Sequence, residues 1–364
     1  MQVNRLEFDR FRNLVSGVLV PCDTVNVIAG ENAQGKTNVL EAIWLFTGGR
    51  SFRHAPDKEL VAFGAEESRL TMAFTAAGRE QTAQMTIRGR RSVKLNGVAL
   101  PSAAKLAGTF CGVVFSPAHL SLIKDGPGER RRFIDAAYCQ LRPSYIKTLS
   151  EYNRLLAQRN ALCKAQNGDE ADELFELWDR QLAQSGCILL QARQRYIKRL
   201  IPEAATIYRG LSGGRETFDM QIVSTVAATE SMTLSETAAV LYDALRSHRK
   251  DDKAAGFTTV GPHRDDVEVV IDGHSARRFG SQGQQRSAVL AMKLAEATLL
   301  QDVTGERPVA LLDDVMSELD VSRQTYILNH LHDWQVFITC CDPATVGRLE
   351  RGKEFTMNNG VLQG

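Results

Sequence analysis

No stretch of this sequence approaches the ~18 uninterrupted apolar residues of a membrane-crossing helix, so no membrane span is expected. The opening segment, MQVNRLEFDRFRNL, alternates charge and apolarity and lacks the apolar core of a secretory leader. The seven cysteines form no CxxC or CxC pair, only the adjacent Cys340 and Cys341, so their spacing offers neither a zinc site nor a disulfide framework. Together these absences predict a cytoplasmic protein in a reducing compartment. There is also no excess of one charge: 44 lysines and arginines meet 43 acidic residues, for a net charge of +1. That balance excludes nucleic-acid binding by global charge, and any such contact needs a local basic surface. No internal repeat and no low-complexity tract is present. What remains is a chain of 364 residues, 43% hydrophobic and 24% charged, of globular composition and long enough for two lobes.

The pattern changes twice along the chain. Val25-Asn26-Val27-Ile28 is a short apolar run before a glycine-rich turn, with a helical pattern behind it. Leu70, Met72 and Phe74 alternate with smaller or polar residues, as do Ala83, Met85 and Ile87, and Val93 and Leu95 lead into the hairpin signal Asn96-Gly97. From Phe133 the period becomes helical through Ile146, Leu149, Tyr152, Leu155 and Leu162. A polar break at Gln166–Asp169 separates this run from a second one through Leu174, Trp178, Leu182, Leu189 and Tyr196, which predicts an antiparallel helical arm. Thr233 and Glu236 form a capping-box signature for a further helix that carries Leu241 and Leu245 and then dissolves over Arg246 to Lys253. Strands return at Val267, Val269 and Ile271 before Asp272-Gly273. A helical pattern over Gln284 to Leu300 then precedes two short buried-strand runs, Val309–Leu312 and Val336–Ile338. The expected architecture is α/β, one mixed-sheet domain interrupted by a helical insertion. Residues 1–125 form its N-terminal part, 126–255 the helical arm and 256–364 the C-terminal part.

Gly30-Glu31-Asn32-Ala33-Gln34-Gly35-Lys36-Thr37 satisfies GxxxxGK[ST] in full, between a predicted strand and a predicted helix. Glycines there let backbone N–H groups close around phosphate oxygens, with the helix N-terminus adding a favourable dipole. Lys36 would reach the β- and γ-phosphates of ATP and Thr37 would hold Mg²⁺. Leu311-Leu312-Asp313-Asp314 ends an apolar run, so its carboxylates belong at a strand's C-terminal edge. Asp313 is expected on the metal and Asp314 on the attacking water, with Lys36 completing the catalytic set. About 280 residues separate Lys36 from Asp313, far more than a βαβ unit of ~30 residues needs.

Just upstream of Asp313, Ser281-Gln282-Gly283-Gln284 resembles the signature of ABC-type ATPases, and Ser317-Glu318-Leu319-Asp320 resembles their D-loop. The fuller resemblance is to the RecF family of the SMC-like branch. It is carried by Phe11-Arg12-Asn13, the P-loop, Arg50-Ser51-Phe52-Arg53, Val114-Phe115-Ser116-Pro117 and Arg130-Arg131-Arg132-Phe133-Ile134-Asp135. Gly261-Pro262-His263-Arg264-Asp265-Asp266, Ser281-Gln282-Gly283-Gln284-Gln285-Arg286 and Leu312 to Asp320 continue it to the far end of the chain. The family pattern implies an ABC/SMC-type P-loop ATPase head with a helical arm inserted between the P-loop and the signature. Arg12, Asn13 and Asn38 join Gly30 to Thr37 around the nucleotide, and the signature acts in trans on the nucleotide of a second copy. The implied activity is weak, DNA-stimulated hydrolysis of ATP with Mg²⁺. The protein would form an ATP-driven homodimer on duplex DNA at single-strand gaps and junctions. It would serve recombinational repair, replication restart and the SOS response, and help load recombinase (RecA) through RecR and RecO. Three features depart from expectation: Ala118 and His119 stand where the family has acidic residues after Ser-Pro, Asp314 replaces the longer catalytic Glu of ABC ATPases, and the switch His of transporter ATPases has no clear counterpart near Thr339. The last two are general in the RecF family.

Basic clusters supply candidate DNA contacts: Arg130, Arg131 and Arg132 at the start of the arm, and Arg193, Arg195, Lys198 and Arg199 near the end of its second helix. Arg195 and Arg199 fall on one helical face, compatible with a phosphate track. A solvated face explains such runs equally well. The pair His330 and His332 lacks a third metal ligand, and Cys340 and Cys341 are expected as buried thiols at a strand end.

Overall fold

Apolar side chains alternate through much of the first hundred residues, and they build a six-stranded antiparallel sheet in the computed structural model, which describes residues 1–165, 170–342 and 352–364. Its order is β2 (Leu14–Leu19), β1 (Gln2–Phe11), β4 (Ser68–Ala76), β5 (Arg79–Arg88), β6 (Arg90–Leu95) and β7 (Val98–Leu100). Leu70, Met72 and Phe74 join Ala83, Met85 and Ile87 in one buried core. Asn96 and Gly97 turn β6 into β7 at φ of 50° and 82°, left-handed values that both residues tolerate and that suit a two-residue hairpin.

The second sheet is drawn from both ends of the chain. Its order is β15 (Val361–Gln363), β14 (Gly352–Asn358), β3 (Val25–Ala29), β13 (Val336–Cys340), β12 (Val309–Asp313) and β8 (Gly112–Phe115), parallel except for β15. Every residue of β8, β12 and β13 is buried, as a parallel sheet covered on both faces requires. Ala29 pairs with Cys340 and Asp313 with Thr339, so β3, β13 and β12 end level with one another. Ligands of such sheets bind beyond those carboxyl ends. Helix α1 (Lys36–Leu45) follows β3, the short α2 (Pro117–Leu120) follows β8, and α10 (Val321–His330) links β12 to β13.

The chain divides into two compact units, one of residues 1–121, 206–215 and 286–364, the other of 122–205 and 216–285. Residues 256–285, grouped from sequence with the C-terminal part of the ATPase lobe, thus pack with the helices. The second unit holds α3 (Pro127–Leu141), α4 (Ser144–Ala165), most of α5 (Glu170–Leu211), α6 (Leu234–Ser247), α7 (Arg249–Ala255) and α8 (Ala276–Phe279). Its small sheet runs β9 (Phe218–Val223), β10 (Asp266–Ile271) and β11 (His274–Ser275), and α9 (Gln282–Thr304) begins in this unit. The polar break expected at Gln166–Asp169 lies outside the described residues. The helical run expected from Phe133 is two helices, because Pro143 denies a backbone donor and holds Arg142 out of the helical region, at φ −139° and ψ 84°. Both halves of the Thr233–Glu236 capping box form.

One expectation fails here. Residues Arg249 to Lys253 do not dissolve but form α7, because Asp252 is needed inside. The guanidinium of Arg159, wholly buried, donates to Asp179 and Asp252 at 2.6 Å each, and to Thr258 and the carbonyl of Leu245. Both carboxylates are wholly buried as well, and Arg249 adds a second bond to Asp179 at 2.6 Å.

The Gly-Pro-His-Arg-Asp-Asp block ties this unit together. His263 accepts from or donates to the Tyr152 hydroxyl at 2.7 Å through Nδ1, and its Nε2 meets the carbonyl of Thr258 at 3.0 Å. With Nε2–H donating to that carbonyl, Nδ1 is left as an acceptor for the Tyr152 proton, an assignment that requires a neutral ring. Burial holds this imidazole down at about 4. Above its ordinary value near 6.5 the ring is neutral folded or unfolded; below it the unfolded chain takes up a proton that the folded ring refuses. His263 therefore withdraws up to about 3 kcal/mol of stability as the pH falls from ~6.5 towards 4. Urea unfolding followed by Trp178 fluorescence should show that acid loss in the parent and a shallower slope in His263→Gln.

Candidate nucleotide site and signature turn

The level ends of β3, β12 and β13 gather the expected chemistry at one edge. Beyond β3 the backbone enters the P-loop, where Ala33 takes φ 65° and Gly35, the N-cap of α1, takes φ 115°. Gly35 is demanded twice: its φ is left-handed, and a Cβ would lie 2.6 Å from Asn13 Oδ1. Asn13 donates to the Ala33 carbonyl at 3.1 Å and accepts from Asn38 Nδ2 at 2.6 Å, so it ties the middle of the loop to the first turn of α1. Arg53 donates to Asn38 Oδ1 at 3.0 Å. Gln34 is held from the chain's other end, its carbonyl accepting from Gly360 N–H at 3.0 Å and its side-chain oxygen from Asn359 N–H at 2.5 Å. Glu31 and Asn32 are exposed.

Lys36 Nζ donates to the carbonyls of Gly30 and Glu31 at 2.5 and 2.9 Å. One residue on, Thr37 Oγ1 donates to Asp313 Oδ1 at 2.7 Å, and Thr339 Oγ1 donates to the same oxygen at 2.9 Å. Burial raises the Asp313 carboxyl, and the two hydroxyl donors oppose that rise. A hydroxyl and a carboxylate converging in this way are hard oxygen ligands, and Mg²⁺ needs only one or two such protein donors beside phosphate oxygens. The site therefore fits the metal that its motif implies.

Asp314 sits at φ 50°, and its N–H donates to Thr339 Oγ1 at 2.9 Å. Left-handed backbone at a non-glycine residue is a strained state that the surroundings must impose; here Thr339 imposes it from β13, and Ser317 Oγ donates to the Asp314 carbonyl at 2.8 Å. Asp314 is half-buried, whereas Asp313 beside it is buried. The D-loop ends on Asp320, the N-cap of α10, whose Oδ1 accepts from Arg323 N–H at 3.0 Å. Arg286, the last residue of the signature block, reaches the carbonyl and carboxylate of Glu318 at 2.8 and 2.7 Å.

The signature is a reciprocal cap. Ser281 N–H donates to Gln284 Oε1 at 2.7 Å, and Gln284 N–H donates to Ser281 Oγ at 3.2 Å. Because the Ser281 oxygen accepts from the backbone, its own O–H remains a donor that can be aimed outward. Ser281 and Gln282 are exposed, and Gly283 and Gln284 partly so, at the N-terminus of the 23-residue α9.

Several residues do work that sequence reading missed. Thr339 links the Asp313 carboxylate to the Asp314 backbone N–H, though a hydroxyl at the end of a buried strand gives no signal by itself. Glu41, fully buried in α1, accepts from Nε and Nη2 of Arg12 at 2.9 and 3.0 Å and from the hydroxyl of Ser51. Arg12, expected at the nucleotide, is thus engaged with Glu41. Cys340 is buried and its thiol pushed up to about 11 by burial, but Cys341, expected to be buried too, is exposed, because the chain leaves β13 between them.

The basic clusters separate into two kinds. Arg130 is 3% exposed, bidentate to Asp266 at 2.7 and 2.9 Å and bonded to three carbonyls. That corrects its expected place on a DNA surface: the guanidinium is a buried clasp. Arg193 is likewise buried against Asp135 at 2.8 Å, and half-buried Arg131 donates to the Asp265 carbonyl at 2.5 Å. Arg132, Arg195, Lys198 and Arg199 are exposed, Arg132 pairing with Glu129 and Lys198 with Glu230.

Known proteins match this arrangement along the whole chain. The family model described as the RecF/RecN/SMC N-terminal domain matches residues 2–363. A protein of Acetivibrio thermocellus named DNA replication and repair protein RecF is 38% identical over 345 residues, 94% of each chain. Another of that name from Alkaliphilus oremlandii is 37% identical over 366 residues, 100% of each. Among solved structures, the recombination mediator protein RecF-ATPrS of the RecFOR pathway superposes with a TM-score of 0.92 at 35% identity, over 99% of this chain and 97% of that one. The Smc head domain of Pyrococcus furiosus shares the fold alone, with a TM-score of 0.55 at 16% identity over 100% of this chain and 96% of that one. With an ABC/SMC-type head, a complete P-loop and relatives matched end to end, the chain belongs to the RecF family of DNA replication and repair proteins.

Proposed function

We propose that this chain is an ATP-driven DNA clamp of recombinational repair and replication restart. Binding of ATP with Mg²⁺ joins two copies on duplex DNA at single-strand gaps, and slow, DNA-stimulated hydrolysis to ADP and phosphate releases them. While closed, the dimer assists recombinase loading through RecR and RecO. The observation that carries this reading is the meeting of the P-loop hydroxyl of Thr37 with Asp313, which joins the phosphate cradle to the carboxylate strand at one sheet edge. The relatives' role in replication and repair, and the RecF-ATP structures of the RecFOR pathway, support it.

Each residue then has a defined task. Backbone N–H groups from Gly30 to Thr37 and the N-terminus of α1 receive phosphate oxygens, and Lys36 neutralises β/γ charge. Thr37 and Asp313 would hold Mg²⁺, which supplies further positive charge to the phosphates. Asp314, held in its left-handed conformation, accepts a hydrogen bond from water on the γ-phosphate side. Being one methylene shorter than Glu it reaches less far, in keeping with hydrolysis used as a timer. Ser281 donates its free hydroxyl proton to the γ-phosphate bound by the other copy.

Sedimentation with ATP or ADP, with and without duplex DNA, tests the reading. A dimer with ATP that tightens on DNA and dissociates with ADP is expected; a monomer under all four conditions overturns it. Asp314→Asn should retain ATP binding and slow steady-state turnover by about 100-fold or more, with a longer-lived DNA complex. Asparagine is the informative replacement because it keeps both the shape and the tolerance for φ 50°.

A further inference from the structure

Two residues before the signature serine, the ring of Phe279 stands 73% exposed, flanked by the exposed Arg277 and Arg278. A lone apolar side chain on a surface is ordinary, but this one is built onto the signature. The buried amide of Gln285 donates to the carbonyls of Ala276 and Gly280 at 2.8 and 3.1 Å, strapping α8 to the first turn of α9. Gly280 packs without spare room, since a Cβ there would lie 2.5 Å from the Ala276 carbonyl. His274 meets the Phe279 ring edge-on, with centroids 6.1 Å apart and planes at 70°. Phe279 and Ser281 therefore belong to one rigid turn, their Cα atoms no more than about 7.6 Å apart. Any contact that brings Ser281 to a phosphate on a second copy brings the Phe279 ring to that copy as well.

We infer that Phe279 is the apolar anchor of ATP-dependent contact between two copies of this chain, seated beside the P-loop of the second copy, with Arg277 and Arg278 as its basic rim. The inference rests on the trans-acting signature proposed above. An aromatic centre with a charged rim is the usual build of a protein contact. The surface it would meet is complementary, since the P-loop of this chain exposes Glu31 and is built to hold phosphates. The ring faces water in the single chain, so its burial can favour only the assembled state.

The test is sedimentation velocity of the full chain with Mg-ATPγS, beside titration of the monomer with a fluorescent ATP analogue. Phe279→Ser should raise the dimer dissociation constant at least about tenfold while leaving monomer nucleotide affinity and the thermal midpoint unchanged. Phe279→Leu, which keeps an apolar side chain, should recover most of the loss. If Phe279→Ser dimerises as the parent does while Ser281→Arg does not, the anchor is refuted and the trans-acting signature survives. If both variants dimerise normally, the trans reading itself falls. Normal dimerisation with weakened duplex binding would make the ring a DNA contact and likewise overturn the anchor.

Discussion

Ser281→Arg should abolish ATP-driven dimerisation, weakening it by more than about 100-fold (~2.7 kcal/mol), and leave each monomer's nucleotide affinity near normal. The contacts from Gly30 to Thr37 lie within one chain and are untouched by the change. ATP can favour a dimer only through contacts that exist in the dimer and not in the monomer. On the proposed trans reading the Ser281 hydroxyl is such a contact: its oxygen accepts from Gln284 N–H at 3.2 Å, which leaves its proton for the other copy's phosphate. Arginine removes that donor, breaks the reciprocal cap and fills the space a phosphate needs. Hydrolysis and ATP-dependent DNA binding should fall together. Mixed with Lys36→Ala, the variant should regain at most one working site per dimer, since only one pairing joins an intact P-loop to an intact signature. Parental dimerisation of Ser281→Arg in a sedimentation run would remove the trans mechanism.

Arg159→Leu should cost the helical unit about 3–5 kcal/mol. Replacing the guanidinium leaves Asp179 and Asp252, both wholly buried, facing an apolar side chain. Arg249 still reaches Asp179 at 2.6 Å, so the larger penalty falls on Asp252, whose other oxygen accepts from Thr259 N–H and hydroxyl at 2.8 and 2.6 Å. Urea unfolding monitored at Trp178, the one tryptophan of that unit, should shift strongly, while ATP binding at the P-loop persists. Adding Asp252→Asn should restore part of the loss, because a neutral amide at that place needs no counter-charge. An additive, further loss in the double variant would contradict the account.

The contrast between these two sites shows what a sequence discloses. The P-loop, the Asp313–Asp314 strand end, the capping box at Thr233 and the turns at Asn96 and Asp272 are local: each depends on residues within about one turn of one another. The buried clasps are not. Arg159 meets a partner 93 positions away and Arg130 one 136 positions away, so from sequence both look like surface cations, and Arg130 was expected on DNA for that reason. The same blindness made Arg249 to Lys253 read as a dissolving charge run, when Asp252 forces a helix there. Thr339 escaped notice because its importance comes from strand register, which sets it opposite Asp313. Cys340 and Cys341 look alike in sequence, and only the end of a strand separates them.

The placement of β3 also sets the order in which the molecule can be made. Its neighbours are β13 and β14, whose residues begin at Val336 and Gly352. The antiparallel sheet of the first hundred residues is complete once Leu100 has left the ribosome, since all six strands lie within that length. The P-loop strand has no partner until some 300 further residues follow, a delay of roughly 15–60 s at about 5–20 residues per second. During that interval Val25–Ala29 presents two unpaired edges beside a half-made core. A ribosome that stalls before Val336 therefore releases a chain whose meander is folded and whose nucleotide strand is open on both sides, a natural substrate for chaperones and proteases.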